Sequence, residues 1–80
     1  MAKLDRQLIS LYKIKDSDTL RQYLAVSGTC KGVATVDKVT LVYSYEGDEL
    51  GKFEHFVKDT LLRSVIQNKV LPDKIVHGFG

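Results

Sequence analysis

A helical pattern of apolar residues spans positions 48–69 of this chain. Its apolar positions recur at steps of three and four, which places them on one stripe of a 3.6-residue helix. They are Leu50, Phe53, Val57, Leu61 and Val65. Asp48 is the expected N-cap, Asn68 can supply a left-handed C-cap, and Pro72 prevents further continuation. The sequence therefore predicts one long helix over this segment.

Alternating apolar and polar positions predict a strand before this helix. The apolar set is Val39, Leu41, Tyr43 and Tyr45, and the residues between them are mostly polar. Such β-branched and aromatic side chains favour a half-buried strand. Residues 33–36 are expected to begin the same strand, with Asp37 and Lys38 forming a bulge or a turn within it.

Two segments nearer the N-terminus fit either type of secondary structure. The apolar positions of residues 4–15 satisfy both a strand alternation and a helical stripe, and residues 19–28 are ambiguous in the same way. The first segment is rich in β-preferring residues, which favours strands. Residues 15–18 form a polar turn between the two segments. We therefore predict a hairpin over residues 4–28, with a helix in this region as the alternative.

These elements together predict the α+β class. The preferred arrangement is a small antiparallel sheet of about three strands packed on one long C-terminal helix. Residues 74–77 could add a short edge strand after Pro72. A β-α-β-α-β order is the alternative. In either arrangement the helix covers one face of the sheet and leaves the other face open.

Length and composition indicate one ordinary globular domain over residues 1–80. The chain is 44% apolar and 28% charged, which is usual for such proteins. A single cysteine excludes an internal disulfide. The first residues are charged and lack the apolar centre of a signal peptide, and no apolar run is long enough to cross a membrane. We therefore expect a cytoplasmic location and no membrane partner.

Residues that could carry catalysis or bind a metal are present, but they lack the patterns that such chemistry needs. Gly28 and Gly32 are too close together for a phosphate-binding loop of the P-loop type, although Lys31 lies between them. Cys30, which the flanking glycines suggest is exposed, has no histidine arranged beside it. The two histidines show no metal-binding spacing. We therefore predict no catalytic residue, no metal ligand and no cofactor, and we expect a protein that is not an enzyme.

The face of the predicted sheet that points away from the helix is the expected binding surface. The residues assigned to it are Lys13, Arg21, Tyr23, Lys38, Thr40 and Val42. Another protein is the preferred partner, and the chain would then be a small regulator or inhibitor. The alternative is single-stranded nucleic acid, because positive side chains can contact phosphates and an aromatic ring can stack on a base. A net charge of +2 is weak support for that alternative.

Two apolar residues of the predicted helix do not belong to its main stripe. Leu62 and Ile66 are four positions apart and lie well away from that stripe. In the structural interpretation they widen the core face and are covered by the end of the chain. In the functional interpretation they form an interface for self-association in a homodimer.

Overall fold

The computed structural model describes residues 8–78 of the chain. Within them it contains β1 (Leu8–Asp16), β2 (Leu20–Ser27), β3 (Cys30–Asp37), β4 (Tyr43–Gly47), α1 (Phe53–Ile66) and β5 (Lys74–Gly78). The strands form an antiparallel sheet in the order β4-β3-β2-β1-β5. The predicted α+β class is confirmed. Two details are corrected, because the sheet has five strands and because β5 follows α1, which is therefore not C-terminal.

The predicted hairpin is confirmed where the structure describes it. β1 and β2 pair from Ser10 opposite Val26 to Asp16 opposite Arg21. Residues 4–7 of the predicted hairpin lie outside the described residues. The alternative helix in this region, and with it the β-α-β-α-β order, is wrong. Strands form here because each of them finds apolar cross-strand neighbours in the sheet.

A two-residue turn joins β2 to β3. Ser27 pairs with Cys30, and Gly28 between them has a φ of 61°. Thr29 at the second central position is not in the positive-φ region, and a two-residue hairpin turn with positive φ at its first central position alone is of type II′ and favours glycine there. The glycine-rich segment is therefore a turn that leads into a strand.

The long strand predicted in the middle of the chain is instead two strands joined by a loop. β3 ends at Asp37, whose carboxylate accepts hydrogen bonds from the N–H groups of Val39 at 2.8 Å and Thr40 at 3.0 Å. Leu41 then takes a φ of 60°, and the Asp37 N–H donates to the Val42 carbonyl oxygen at 2.9 Å. An aspartate that binds the following backbone in this way stabilises a turn rather than a continuous strand.

The helix is shorter than predicted. Leu50 and Gly51 precede it, and a φ of 56° at Gly51 is not helical, so α1 begins only at Phe53. The predicted N-cap is wrong, because Lys52 occupies that position and makes no side-chain capping bond. The left-handed conformation predicted for Asn68 is confirmed by its φ of 54°, although Gln67 is the C-cap and Asn68 follows it. Backbone hydrogen bonds across Asn68 close the helix as in a Schellman motif.

The core lies between α1 and one side of the sheet. The fully buried sheet residues on this side are Ile9, Leu11, Tyr23, Ala25, Ala34 and Val36. The residues that cover them are Leu50, Phe53, Val57 and Leu61. At the edge of the sheet, the His77 ring stacks on the Phe56 ring with centroids 3.9 Å apart. The predicted short edge strand is therefore confirmed as β5, which contributes to this side.

Candidate functional site

Two central residues of the predicted binding surface, Arg21 and Tyr23, point to the opposite side of the sheet from the one predicted. Both lie on the side of α1 and are buried, with 4% and 0% of their surfaces exposed. The Tyr23 hydroxyl donates to the Pro72 carbonyl oxygen at 2.7 Å, and Arg21 Nη1 donates to Ser64 Oγ at 2.7 Å. Burial of these side chains is tolerated because their polar ends find such partners. Neither side chain is accessible to a base or a phosphate group.

Asp16 links Arg21 to a further residue of the predicted surface, Lys38. Asp16 Oδ1 lies 2.7 Å from Lys38 Nζ, and Asp16 Oδ2 lies 3.3 Å from Arg21 Nη2. Burial favours the protonated carboxyl group, but the hydrogen bonds and charges of Lys38 and Arg21 outweigh it and lower the pKa of Asp16 from 3.8. Lys38 is therefore engaged in an ion pair within the protein.

The other three residues of the predicted surface lie apart from one another. Lys13 forms an ion pair with Asp73 at 3.3 Å and donates a hydrogen bond to the Leu71 carbonyl oxygen at 2.9 Å. Thr40 and Val42 are exposed in the loop between β3 and β4 rather than in a strand. The structure therefore does not bring the six predicted residues together on one face of the sheet.

Leu62 and Ile66 differ in their surroundings. Leu62 packs against the core and is half-buried, whereas Ile66 is 62% exposed. Both line a groove of about 460 Å³ on α1, and other residues along it are the charged Lys58, Asp59 and Arg63. The Asp59 carboxylate forms an ion pair with Arg63 at 3.2 Å. Self-association through Leu62 and Ile66 stays a prediction.

The residues considered for chemistry form no recognisable site in the described part of the chain. Cys30 is 5% exposed, so the exposed position predicted for it is wrong. Within residues 8–78, no three histidine, cysteine, aspartate or glutamate side chains come close enough together to hold a metal ion. In the same range, no helix has the length and apolar character that crossing a membrane requires.

The side of the sheet opposite α1 carries a second apolar surface, which we call the open face. Because antiparallel partners share a face, the strand register assigns each side chain to one side of the sheet. The open face includes Leu8, Ser10, Tyr12, Lys15, Leu20, Gln22, Leu24, Val26, Lys31, Val33, Thr35, Ser44, Glu46, Lys74 and Val76. All of these side chains are half-buried or exposed. The sheet therefore has apolar residues on both sides and α1 on only one of them.

Three adjacent rows of side chains cross the strands of the open face. The middle row runs from β4 to β5 as Glu46, Val33, Leu24, Tyr12 and Lys74. The row on one side of it consists of Lys31, Val26, Ser10 and Val76, and the row on the other side consists of Ser44, Thr35, Gln22 and Lys15. Glu46 and Lys74 thus lie at opposite edges of the sheet, with three apolar side chains between them.

The open face combines an apolar centre with charged edges. The most exposed apolar side chains, Leu8 (43%), Tyr12 (38%) and Val76 (52%), lie on β1 and β5, whereas Leu24, Val26 and Val33 at the centre are half-buried. Single exposed apolar residues are common, but contiguous ones with a polar rim mark interaction surfaces. At one edge the Lys74 ammonium lies 5.5 Å from the centroid of the Tyr12 ring. This arrangement can bind an apolar surface and make charge contacts at its two edges.

The open face differs from the surface predicted from the sequence, because the two sides of β2 are the reverse of those predicted. Leu20, Leu24 and Val26 occupy one set of alternate positions in this strand, and Arg21 and Tyr23 occupy the other. Arg21 was predicted to face solvent because charged residues are usually exposed. The signal that could have revealed the open face is the apolar set itself, because a strand with apolar residues on both sides is typical of a sheet that is covered on both sides.

Comparison with known proteins does not identify a relative. The chain matches no protein family model, no curated protein and no solved structure. Function is therefore inferred from the chemistry of the open face.

Proposed function

We propose that this chain is a small non-enzymatic binding module that acts by protein–protein interaction, as a regulator or inhibitor, and that its open face is the binding surface. The observation that carries this proposal is the apolar middle row of the sheet, which α1 leaves uncovered. A cytoplasmic location is part of the proposal.

The composition of the open face suits a protein partner. Protein interfaces combine an apolar centre with a polar rim, and the open face has the same distribution. Burial of apolar surface contributes about 25 cal/mol per Å², so the exposed Leu8, Tyr12 and Val76 are expected to contribute together with the half-buried Leu24, Val26 and Val33 at the centre. Tyr12 is the expected anchor, since tyrosine is frequent among the residues that dominate interface energetics.

Nucleic acid suits the open face less well. A single-stranded nucleic acid needs a positive groove for its phosphates and aromatic rings for its bases. Of the residues predicted for that purpose, Arg21 and Tyr23 are buried and Lys38 is paired with Asp16. The open face itself has Tyr12 as its aromatic ring, and its lysines, Lys15, Lys31 and Lys74, surround an apolar centre rather than line a continuous positive groove. Single-stranded nucleic acid is therefore the alternative that the experiment must separate from a protein partner.

A photoreactive phenylalanine analogue in place of Tyr12 tests whether a protein covers the open face. After irradiation in cells that express the chain, mass spectrometry identifies the crosslinked molecule. We expect crosslinks to defined protein peptides, and we expect Leu24→Asp to abolish them. The matched control carries the analogue at Val42, which is 59% exposed but lies in the loop between β3 and β4. That control is expected to give none of these crosslinks.

Circular dichroism tests whether the Leu24→Asp chain is folded. If it is not, Val76→Glu replaces it, because Val76 is 52% exposed at the edge of the open face. Equal crosslinking from Tyr12 and Val42 would contradict the proposal. So would crosslinks from Tyr12 to nucleic acid alone, which would favour the alternative.

A further inference from the structure

We infer that a second copy of this chain occupies the open face, in a face-to-face homodimer whose two-fold axis runs parallel to β2. This inference rests on the proposed function and names the partner. The interface differs from the one predicted at Leu62 and Ile66, because it lies on the side of the sheet opposite α1. A two-fold dimer joins the same patch on both copies, so that patch must be complementary to itself.

The edge charges make the open face complementary to itself. Glu46 on edge strand β4 and Lys74 on edge strand β5 belong to the same cross-strand row, and both are exposed. A two-fold axis parallel to β2, midway between two stacked sheets, places β4 of each copy over β5 of the other. Glu46 then faces the partner's Lys74, and Lys74 faces the partner's Glu46. Opposite charges placed across an interface in this way fix its orientation.

The alternative direction of the two-fold axis lacks this complementarity. An axis perpendicular to the strands places each edge strand over the same edge strand of the other copy. Glu46 would then approach the partner's β4, and Lys74 would approach the partner's β5. Like charges brought together at an interface are unfavourable. The positions of Glu46 and Lys74 therefore favour the axis parallel to β2.

The same axis matches the apolar centres of the two copies. β2 is the central strand of the sheet, so Leu24 and Val26 each face their own counterparts in the partner. Val33 on β3 faces the partner's Tyr12, because the axis exchanges β3 with β1. Stacked sheets lie about 10 Å apart. Opposed apolar side chains of the two copies can fill this space at the centre, and the long side chains of Glu46 and Lys74 can extend across the edges.

The area of the open face is sufficient for a dimer. Its five strands contain from five to nine residues each. At a rise of about 3.3 Å per residue and a strand spacing of about 4.8 Å, the sheet covers about 550 Å² in projection, or about 1,100 Å² for two copies. Specific interfaces bury more than about 1,000 Å² of accessible surface, and side chains raise the accessible area above its projection.

Sedimentation equilibrium of the purified chain and its charge variants tests the dimer. We expect the mass of two chains at micromolar concentrations. Glu46→Lys and Lys74→Glu alone each place two pairs of like charges across the interface, and each is expected to raise the dissociation constant about tenfold. The double variant restores opposite charges and is expected to return the dissociation constant to within about threefold of the original. Lys58→Glu on α1 makes the same change in net charge as Lys74→Glu and is expected to leave the dissociation constant unchanged.

The variants distinguish this inference from the proposed function. A monomer at all concentrations would overturn the homodimer, and if the analogue at Tyr12 still crosslinks a different protein, the binding function stands without it. If the two charge changes weaken the dimer additively, with no restoration in the double variant, the proposed orientation is wrong. If the chain is a monomer and Tyr12 crosslinks no protein, both proposals fail.

Discussion

The two sides of this sheet differ in a way that reverses a common expectation. The side under α1 contains the buried Arg21, which is paired with Asp16 in a charge network that also includes Lys38, together with apolar side chains. The open face has an apolar centre and keeps Glu46 and Lys74 at its edges. The covered side can hold charge because Arg21 finds hydrogen-bonding partners there. The open face has the distribution of a protein interface.

This comparison shows that residue type alone does not identify the buried side of a sheet. Both sides of β2 present large side chains, and burial depends on where α1 packs. A polar group can be buried when its partners are supplied, and an apolar group can stay exposed when a second molecule covers it.

The largest expected difference in the free energy of unfolding is between substitutions of two leucines on opposite sides of the sheet. Leu11 is fully buried under α1, whereas Leu24 is half-buried on the open face. We expect Leu11→Ala to reduce the free energy of unfolding by about 2–5 kcal/mol, because it leaves a cavity in the core. Leu24→Ala in dilute solution should cost less than about half of that, because solvent can fill the space.

Urea unfolding at low and high protein concentration measures both effects. The Leu24→Ala chain should lose the concentration dependence of stability that a dimer produces, whereas Leu11→Ala should retain it. Equal losses for the two variants in dilute solution would mean that the two sides of the sheet do not differ as described.

A substitution in the charge network on the covered side is expected to have an intermediate effect on the free energy of unfolding. Asp16→Asn leaves the buried Arg21 without its carboxylate, and we expect a loss of about 1–3 kcal/mol at neutral pH. The folded-state pKa of Asp16 lies below 3.8. Its contribution to stability is therefore present above about pH 3.8 and is lost as the pH falls through the folded-state value. The Asn variant should lose less stability on acidification than the original chain.

Urea unfolding between neutral pH and about pH 3 provides the measurement. Asp59→Asn is the matched control, because Asp59 forms its ion pair with Arg63 at the surface of α1. That change should cost less than about 1 kcal/mol. If Asp16→Asn has no greater effect than Asp59→Asn at neutral pH, Asp16 does not stabilise the covered side.

The smallest effect is expected at Tyr43 on the covered side of β4. Among the described residues its buried hydroxyl has no hydrogen-bond partner. Tyr43→Phe should therefore leave the free energy of unfolding within about 1 kcal/mol of the original value or raise it. Tyr45→Phe is the control, because the Tyr45 hydroxyl donates to the Asp48 carbonyl oxygen, and it should lose about 0.5–1.5 kcal/mol.

Alkaline pH sharpens the test at Tyr43. Burial, together with the nearby Glu54 and Tyr45, raises its pKa from 10.0 to about 12. A raised folded-state pKa means that the associated stability is present below pH 10 and is lost as the pH rises toward 12. Tyr43→Phe should remove this part of the alkaline loss in urea unfolding. An unchanged alkaline profile would show that the Tyr43 hydroxyl is solvated in the folded protein.

Local patterns in the sequence are sufficient to predict much of the secondary structure. The hairpin of β1 and β2, the short edge strand β5 and the left-handed Asn68 at the end of α1 are all confirmed. These features depend on alternation, turn residues and capping within a few positions. The split between β3 and β4 was missed because Asp37 binds the backbone that follows it. These hydrogen bonds hold the backbone in a turn, although the alternation of apolar and polar residues continues past Asp37.

The assignment of the two sheet sides depends on the tertiary structure. Alternation divides β2 into two sets of side chains, but it does not say on which set α1 packs. That choice places Arg21 beside Ser64, a residue 43 positions away in the chain, and it leaves Leu24 uncovered. Contacts between such distant residues determine which polar groups can be buried and which apolar groups stay exposed. The open face therefore follows from the packing of α1 on the opposite side of the sheet, which no local pattern encodes.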